Sequence, residues 1–149
     1  MRDYKNIDAW KLADDFTVAI YDLTRRFPKE ELYGLTSQLR RAAASVPTNI
    51  AEGSARESQK DYLHFLYIAR GSLTEAQYLL HLAHRLGYIN ADDATKLAGE
   101  TKRVFGCLHG LIQSVEKQAG RIARTVAAIT SMLVVAFVRI PGIPSSTLG

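Results

Sequence analysis

The sequence has little of what marks secreted, disulfide-bonded or membrane-spanning proteins. Cys107 is the single cysteine in 149 residues, so an intrachain disulfide framework is excluded and a reducing compartment is expected. The first residues, MRDYKNIDAWK, contain no apolar stretch of the kind that forms a signal-peptide core. We therefore expect a cytoplasmic protein.

Strong charge of either sign is also lacking in most of the chain. All 15 acidic residues lie before position 119, whereas three of the 19 basic residues, Arg121, Arg124 and Arg139, lie after it. Residues 1–118 therefore carry a net charge of +1, and residues 119–149 carry +3. The main part lacks the charge excess of dedicated nucleic-acid-binding domains, although it can still present a local basic patch.

What the sequence does contain is a hydrophobic fraction of 47%, enough for one globular core, spaced as in four amphipathic helices. The first helix begins near Ile7 or Asp8 and is closed by Pro28. The third runs from a capping Ser58 to a terminating Gly87, and the fourth begins after Asn90. Short connectors between them predict an all-α fold, an up-and-down antiparallel four-helix bundle.

The second helix lies within Thr36–Gly53, read as TSQLRRAAASVPTNIAEG. Its apolar face keeps helical spacing past Pro47, so the proline is expected to kink the helix without ending it. Pro47 lacks an N–H and crowds the carbonyl of Ala43, four residues earlier. The end of this helix is expected at Gly53. The apolar face consists of Leu35, Leu39, Ala42, Val46 and Ile50.

A polar stripe runs beside this apolar face, and Glu75 interrupts an apolar seam of the third helix. A carboxylate among apolar neighbours is costly unless it is paired, so we expect Glu75 to meet the second helix between Thr36 and Arg41. The role is predicted to be structural, because no nucleophile or cofactor motif accompanies it. The predicted interhelical polar network comprises Gln38, Arg40, Arg41, Asn49, Glu52, Arg70 and Glu75.

Basic residues occur in short clusters on several predicted helices. Acidic residues are interspersed among them, so an ordinary solvated surface is the simpler interpretation of each cluster alone. A nucleic-acid surface would show as an affinity that falls steeply with salt concentration. The candidate contacts are Arg25, Arg26, Lys29, Arg56, Lys60, Lys102 and Arg103.

Candidate catalytic chemistry is sparse. His81 and His84 share a helical turn, and with Glu75 they suggest a metal-dependent bundle enzyme as an alternative function. A third ligand at suitable spacing is absent, so packing or surface roles are favoured for the histidines. Cys107 beside His109 has no orienting acid within sequence reach. We expect no enzymatic activity, no cofactor and no metal.

Two segments together, FPKEELYGLTSQLRRAAASVPTNIAEG and DYLHFLYIARGSLTEAQYLL, resemble the four-helix-bundle family of 23S rRNA intervening-sequence proteins, which includes the accessory variability proteins of diversity-generating retroelements. The resemblance spans about Asp8 to Lys117. It implies a four-helix bundle that forms homo-oligomers, characteristically pentameric rings, with no known enzymatic activity. Some members are encoded inside ribosomal RNA genes, and the retroelement members bind nucleic acid and a reverse transcriptase through basic surfaces.

Residues 119–149 form a separate, apolar and mildly basic C-terminal extension, predicted to be helical to about residue 140. The 14 residues from Thr125 to Val138 carry no charge. As a helix they would span about 21 Å, short of the roughly 30 Å hydrocarbon core of a membrane. Packing on the bundle or on another subunit, contact with a membrane surface and poor order stay open as alternatives.

The sequence therefore predicts a bundle over residues 1–118 that acts as a non-enzymatic interaction or scaffold module. Its expected partners are further copies of itself and RNA or a nucleoprotein. The alternatives are a metal-dependent enzyme and a protein that associates with a membrane surface through the C-terminal extension.

Overall fold

A computed structural model describes residues 3–138, with side chains described up to residue 134. The described residues are helical, without strands, and confirm the predicted all-α class. The four long helices are α1 (Asp8–Thr24), α2 (Leu35–Ser54), α3 (Gln59–Arg85) and α4 (Ala91–Val138). Two short 3-10 helices, Tyr4–Asn6 and Lys29–Glu31, precede α1 and α2.

The chain divides into two compact units, Met1–Glu116 and Lys117–Gly149. In the first unit, the helices pack in chain order as an up-and-down four-helix bundle, as predicted. In the second unit, α4 is helical to Val138, and every described side chain from residue 120 to 134 is exposed. The predicted end of this helix near residue 140 lies outside the described residues, as does Arg139.

The ends of the helices follow from local side-chain chemistry. The Ser58 hydroxyl accepts the backbone N–H of Asp61 at 3.0 Å and caps α3. The side-chain amide oxygen of Asn90, Oδ1, accepts a hydrogen bond from the backbone N–H of Asp93 at 2.8 Å and caps α4. Gly87 has a φ of 77°, which only glycine adopts easily, and it ends α3. All three predicted ends are confirmed.

The core of the bundle is built from the apolar faces that the spacing predicted. On α3, one seam is wholly buried, whereas the neighbouring seam that contains Glu75 is half exposed. The buried seam consists of Tyr62, Leu66, Ala69, Leu73, Ala76, Leu80 and Ala83. Removal of this apolar surface from water is the main force that holds the helices together.

Helix α2 continues through Pro47 and ends at Ser54. The kink itself stays a prediction. Gly53, expected to mark the helix end, instead lies inside the last turn and is buried. A β-carbon added there would lie 2.8 Å from Cβ of Phe65 and 2.9 Å from Cδ2 of Tyr62. Gly53 therefore allows α2 and α3 to approach closely beside their connecting turn.

Candidate functional site

A line of polar contacts joins α2 to α3, and we call it the α2–α3 seam. The Arg41 guanidinium donates to Oε1 of Glu75 at 3.0 Å. About one turn away, the hydroxyls of Ser45 and Ser72 lie 2.8 Å apart. The side-chain amide of Asn49 donates to Oγ of Ser45 at 3.0 Å and to its carbonyl at 2.7 Å. The seam thus links two helices through side-chain groups that satisfy one another.

The α2–α3 seam is more exposed to water than we expected from the apolar residues that flank Glu75 in the sequence pattern. Side-chain exposure is 71% for Arg41 and 42% for Glu75, so the expectation of a buried carboxylate was wrong. Glu75 lies on the half-exposed seam of α3, at the border with α2. An ion pair this exposed contributes about 0–1 kcal/mol to stability, and its main effect is to favour one helix register.

Four other residues of the predicted network lie apart from Glu75. The Nε–H of Arg40 donates to Oγ1 of Thr24 on α1 at 2.7 Å. Glu52 accepts from Arg56 at 2.6 Å, within one turn of chain. The Arg70 guanidinium lies 4.9 Å from the ring centroid of Tyr67, and Gln38 is exposed. The described structure therefore pairs Arg41 with Glu75, links Asn49 to Ser45 and Ser72 in a separate group, and directs the rest elsewhere.

Thr17, which the sequence patterns did not single out, supports the helix at Pro47. The Thr17 hydroxyl oxygen lies 3.0 Å from the Ala43 carbonyl oxygen and 2.8 Å from that of Ala13. The Ala43 carbonyl is the one that Pro47 leaves without a helical N–H partner. Thr17 on α1 therefore offers a donor to the carbonyl that the proline leaves over, and its single hydroxyl proton is shared between that carbonyl and the Ala13 carbonyl.

Two hydrogen bonds from tyrosine hydroxyls to glutamate carboxylates connect other elements of the bundle. The spacing of residues in the sequence predicted neither of them. The Tyr67 hydroxyl on α3 donates to Glu116 on α4 at 2.5 Å, and this hydrogen bond raises the pKa of Tyr67 above its usual 10.0. The Tyr88 hydroxyl donates to Glu31 at 3.1 Å, which raises the pKa of Tyr88 in the same way. The other oxygen of the Glu31 carboxylate accepts the backbone N–H of Leu35 at 2.9 Å and caps α2.

The predicted nucleic-acid contacts do not form one cluster. The bundle topology places Arg25, Arg26 and Lys29 near the α1–α2 connection, and Arg56 and Lys60 at the opposite end. Three of the seven candidates are paired with carboxylates: Arg25 with Asp22 at 3.4 Å, Arg26 with Asp93 at 2.9 Å and Arg56 with Glu52 at 2.6 Å.

The remaining four candidates, Lys29, Lys60, Lys102 and Arg103, are exposed. Lys102 and Arg103 lie within α4. Within the described part of a single chain, the seven candidates are therefore separated basic groups rather than one cluster.

The histidine pair of α3 lies at the border with α4. His81 and His84 line a cavity of about 240 Å³ together with Ile89 and Thr101, and Nδ1 of His84 lies 3.2 Å from the Ile89 carbonyl oxygen. Within the described part of the chain, no three His, Cys, Asp or Glu side chains are grouped as metal ligands. Cys107 is half-buried, and His109 is exposed.

The outer face of α3 carries large exposed apolar and aromatic side chains. Tyr67 and Ile68 are exposed, and Tyr78 is 61% exposed. Between them lie the small residues Gly71 and Thr74, which are also exposed. Exposed apolar patches of this kind mark protein interfaces more often than free surface.

Comparison with known proteins agrees with this architecture. Residues 5–110 match the family model described as 23S rRNA-intervening sequence protein. A solved structure from Bacteroides thetaiotaomicron, a protein of unknown function from the S23 ribosomal protein family, aligns with a TM-score of 0.66 and 24% identity. That alignment covers 70% of this chain and 95% of the other, and it shows a shared fold. No curated protein sequence matches the chain.

Among the described residues, no helix is long and apolar enough to cross a membrane.

Proposed function

The chain belongs to the 23S rRNA-intervening sequence protein family, and from this premise we propose that it is a non-enzymatic scaffold. In this proposal it assembles with copies of itself and presents its basic side chains to RNA or to a nucleoprotein. The observation that carries the self-assembly is the outer face of α3.

This face has the properties of a homotypic interface. Tyr67, Gly71, Thr74 and Tyr78 follow one another at helical spacing and are all exposed, with Ile68 alongside. Tyrosine is enriched in protein interfaces because its ring buries a large apolar area at a small entropic cost. Small residues between the rings allow another backbone to approach. The charged groups nearest to the face are already in contact with protein groups, Arg70 with the Tyr67 ring and Glu116 with the Tyr67 hydroxyl.

Assembly would also give the scattered basic groups a function. One copy has Lys29, Lys60 and Lys102 exposed at separate places, where single contacts with phosphate would be weak. Copies held in a ring, as the family resemblance suggests for a pentamer, repeat each group around an axis. Linked weak contacts raise the overall affinity by orders of magnitude, about 10²–10⁴-fold.

A membrane-surface role for the second unit is the alternative that a specific observation favours. Ile122, Val126, Ile129 and Leu133 are exposed at helical spacing on α4, and Arg121 and Arg124 lie beside them in the sequence. Helices with an apolar face and arginines bind anionic lipid surfaces. Sedimentation with anionic phosphatidylserine vesicles, and not with neutral ones, would support this alternative.

Native mass spectrometry of the full chain tests the self-assembly. We expect the unchanged protein to form a closed oligomer, and the double substitution Ile68→Asp with Tyr78→Asp to convert it to monomer. Tyr33→Asp is the matched control, because Tyr33 is 92% exposed in the connector before α2 and lies off the face. A monomeric unchanged protein, or a doubly substituted protein that still assembles, would contradict the proposal.

RNA binding is tested separately, on the same two proteins, by gel mobility shift at low and raised salt. We expect the assembled protein to shift structured RNA with an affinity that falls as salt rises, because phosphate contacts release counterions. The monomeric variant should bind much more weakly. Absence of any shift at low salt would remove RNA from the proposed partners.

A further inference from the structure

A cavity of about 350 Å³ opens beside the α1–α2 connection. Its walls come from the last turn of α1, the connector that follows and the first turns of α2. The volume lies at the lower end of the range of small-molecule sites, roughly 300–1,000 Å³. The proposed scaffold function assigns no ligand to this cavity, although Lys29 at its rim is also one of the basic groups offered to RNA in that proposal.

The charge around the cavity has one sign. Arg25, Lys29 and Arg40 line it, and none of the described lining residues is acidic. Lys29 has no ion pair among the described residues. Arg25 lies 3.4 Å from Asp22, but both side chains are largely exposed, so this pair neutralises the arginine only weakly in water. The cavity therefore favours an anion.

Arg40 is held in place for such an anion. Its Nε–H donates to Thr24 at 2.7 Å, and its guanidinium lies 4.8 Å from the ring centroid of Tyr21. These two contacts fix the orientation of the guanidinium plane. Neither of them uses the N–H donors of the terminal nitrogens, Nη1 and Nη2. Within the described structure Arg40 has no carboxylate partner. An oriented guanidinium with unused donors is the group that recognises phosphate, sulfonate and carboxylate best.

The rest of the lining is apolar, apart from one buried hydroxyl. Phe27 is buried, and Leu32 is exposed at the rim. Thr36, 3% exposed, lines the same cavity, and its Oγ1 has no hydrogen-bond partner within the described part of the chain. Buried polar groups are nearly always satisfied, and leaving one unsatisfied costs about 1–3 kcal/mol. The Oγ1 atom of Thr36 is closed off from solvent, so the polar groups that a ligand can reach in this cavity are the basic ones.

We propose that this cavity binds a small organic anion, a phosphate, sulfonate or carboxylate attached to a compact aromatic or apolar body. The anionic group lies against Arg40 and Lys29, and the apolar body lies against Phe27 and Leu32. Binding requires no second copy of the chain, so it is independent of the proposed self-assembly.

Isothermal titration calorimetry of the full chain with phenyl phosphate tests this site. Inorganic phosphate and benzyl alcohol serve as probes that carry only the charge or only the ring. We expect phenyl phosphate to bind with a Kd below about 1 mM, and each half-probe to bind at least about tenfold more weakly. Raised salt should weaken phenyl phosphate further, because the contact is partly ionic.

Substitutions at the rim locate the site. We expect Lys29→Met and Leu32→Ser each to raise the Kd for phenyl phosphate about three- to tenfold, roughly the loss of one exposed ion pair or one partly buried apolar contact. Both side chains lie at the rim, at least partly open to solvent, so the fold should survive, and circular dichroism checks this. Lys60→Met is the matched control at the opposite end of the bundle and should leave the Kd unchanged.

Three results would overturn the proposal. One is no binding of phenyl phosphate up to about 10 mM, which is weaker than specific sites usually are. Another is equal affinity for phenyl phosphate and inorganic phosphate, which would mean that charge alone attracts the ligand. The third is an equal loss of affinity in Lys60→Met and Lys29→Met, which would mean diffuse attraction to basic residues.

Discussion

The contact between Thr17 and the helix at Pro47 shows how one side chain can allow a proline inside a core helix. An interior proline removes one backbone hydrogen bond and typically costs about 3 kcal/mol. Here α2 continues for seven residues beyond Pro47. The carbonyl left over, that of Ala43, accepts a hydrogen bond from the half-buried Thr17 on α1. We infer that the Thr17 hydroxyl, which also contacts the Ala13 carbonyl at 2.8 Å, helps α2 to tolerate Pro47.

The first prediction concerns this donor. Thr17→Val keeps the shape of the side chain and removes the hydroxyl, which leaves the Ala43 carbonyl without either partner. We expect the free energy of unfolding, measured by urea denaturation, to fall by about 1–2 kcal/mol. Thr95→Val is the control, because the exposed Thr95 hydroxyl donates only to the carbonyl of Ala91 in its own helix and lies away from the proposed interface on α3. It should change stability by less than about 0.5 kcal/mol.

A double-mutant cycle isolates the proposed cause. Pro47→Ala restores a backbone N–H that can bond to the Ala43 carbonyl, so Thr17→Val should cost less in that background. A loss of stability that is the same in the Pro47→Ala background as in the unchanged protein would mean that Thr17 acts through packing alone.

At this scale, the sequence indicated which residues are polar at the border of the core, but not which groups they contact. Arg41 and Glu75 meet within the predicted range, although both side chains are exposed to water. Arg40, adjacent in sequence, instead contacts Thr24 on α1, because successive helical residues point about 100° apart. Glu31 and Tyr88 are 57 residues apart, and no spacing rule relates residues in two different connectors.

At the scale of elements, the sequence predicted which segments are helical and which face of each helix is buried. It did not predict which residues of neighbouring helices lie opposite each other. Apolar spacing defines the inward face of α3 without reference to other elements. The level of one helix against the next depends on where the turn lies. The structure caps α2 at Ala55 and begins α3 after Ser58, and Glu75 contacts Arg41, at the far end of the predicted range Thr36 to Arg41. Because the two helices are antiparallel, a turn displaced by two residues moves every partner by about four residues, or one helical turn.

The second prediction concerns the closest approach of α2 and α3. Gly53→Ala would gain about 1 kcal/mol of helix propensity, but its β-carbon would lie 2.8 Å from Cβ of Phe65 and 2.9 Å from Cδ2 of Tyr62. Neither neighbour is the end of a flexible chain, so the helices must move apart. Overpacking of this kind costs about 1–3 kcal/mol. We expect a net loss of stability, measured as a lower midpoint of urea denaturation.

Gly99→Ala provides a control of opposite sign. Gly99 is exposed on α4, away from the proposed interface on α3, and an added β-carbon would meet nothing within 4 Å. The same chemical change should therefore stabilise the protein by up to about 1 kcal/mol. If Gly53→Ala stabilises as much as Gly99→Ala, the two helices are not constrained at this point.

At the scale of the whole molecule, the bundle was predictable because four amphipathic segments with short connectors have few compact arrangements. The proposed functional surfaces were less predictable from the sequence. The outer face of α3 contains residues whose spacing is indistinguishable from that of a core face, and only the structure shows that Tyr78 is exposed. The cavity beside the α1–α2 connection combines residues from three elements, and its shape depends on how those elements meet.

The third prediction separates the contributions of the two units. All buried core residues of the described chain lie at or before Val115, and the described side chains from 120 to 134 are exposed. A chain ended after Gln118 should therefore unfold in urea with a free energy within about 0.5 kcal/mol of that of the full chain. A loss above about 2 kcal/mol, well beyond what surface changes cause, would show that the second unit contributes to the core of the first.

Native mass spectrometry of the same shortened chain should give the same oligomer as the full chain, because the proposed interface lies on α3. A shortened chain that is stable but monomeric would instead assign self-assembly to the exposed apolar residues of α4 between Ile122 and Leu133.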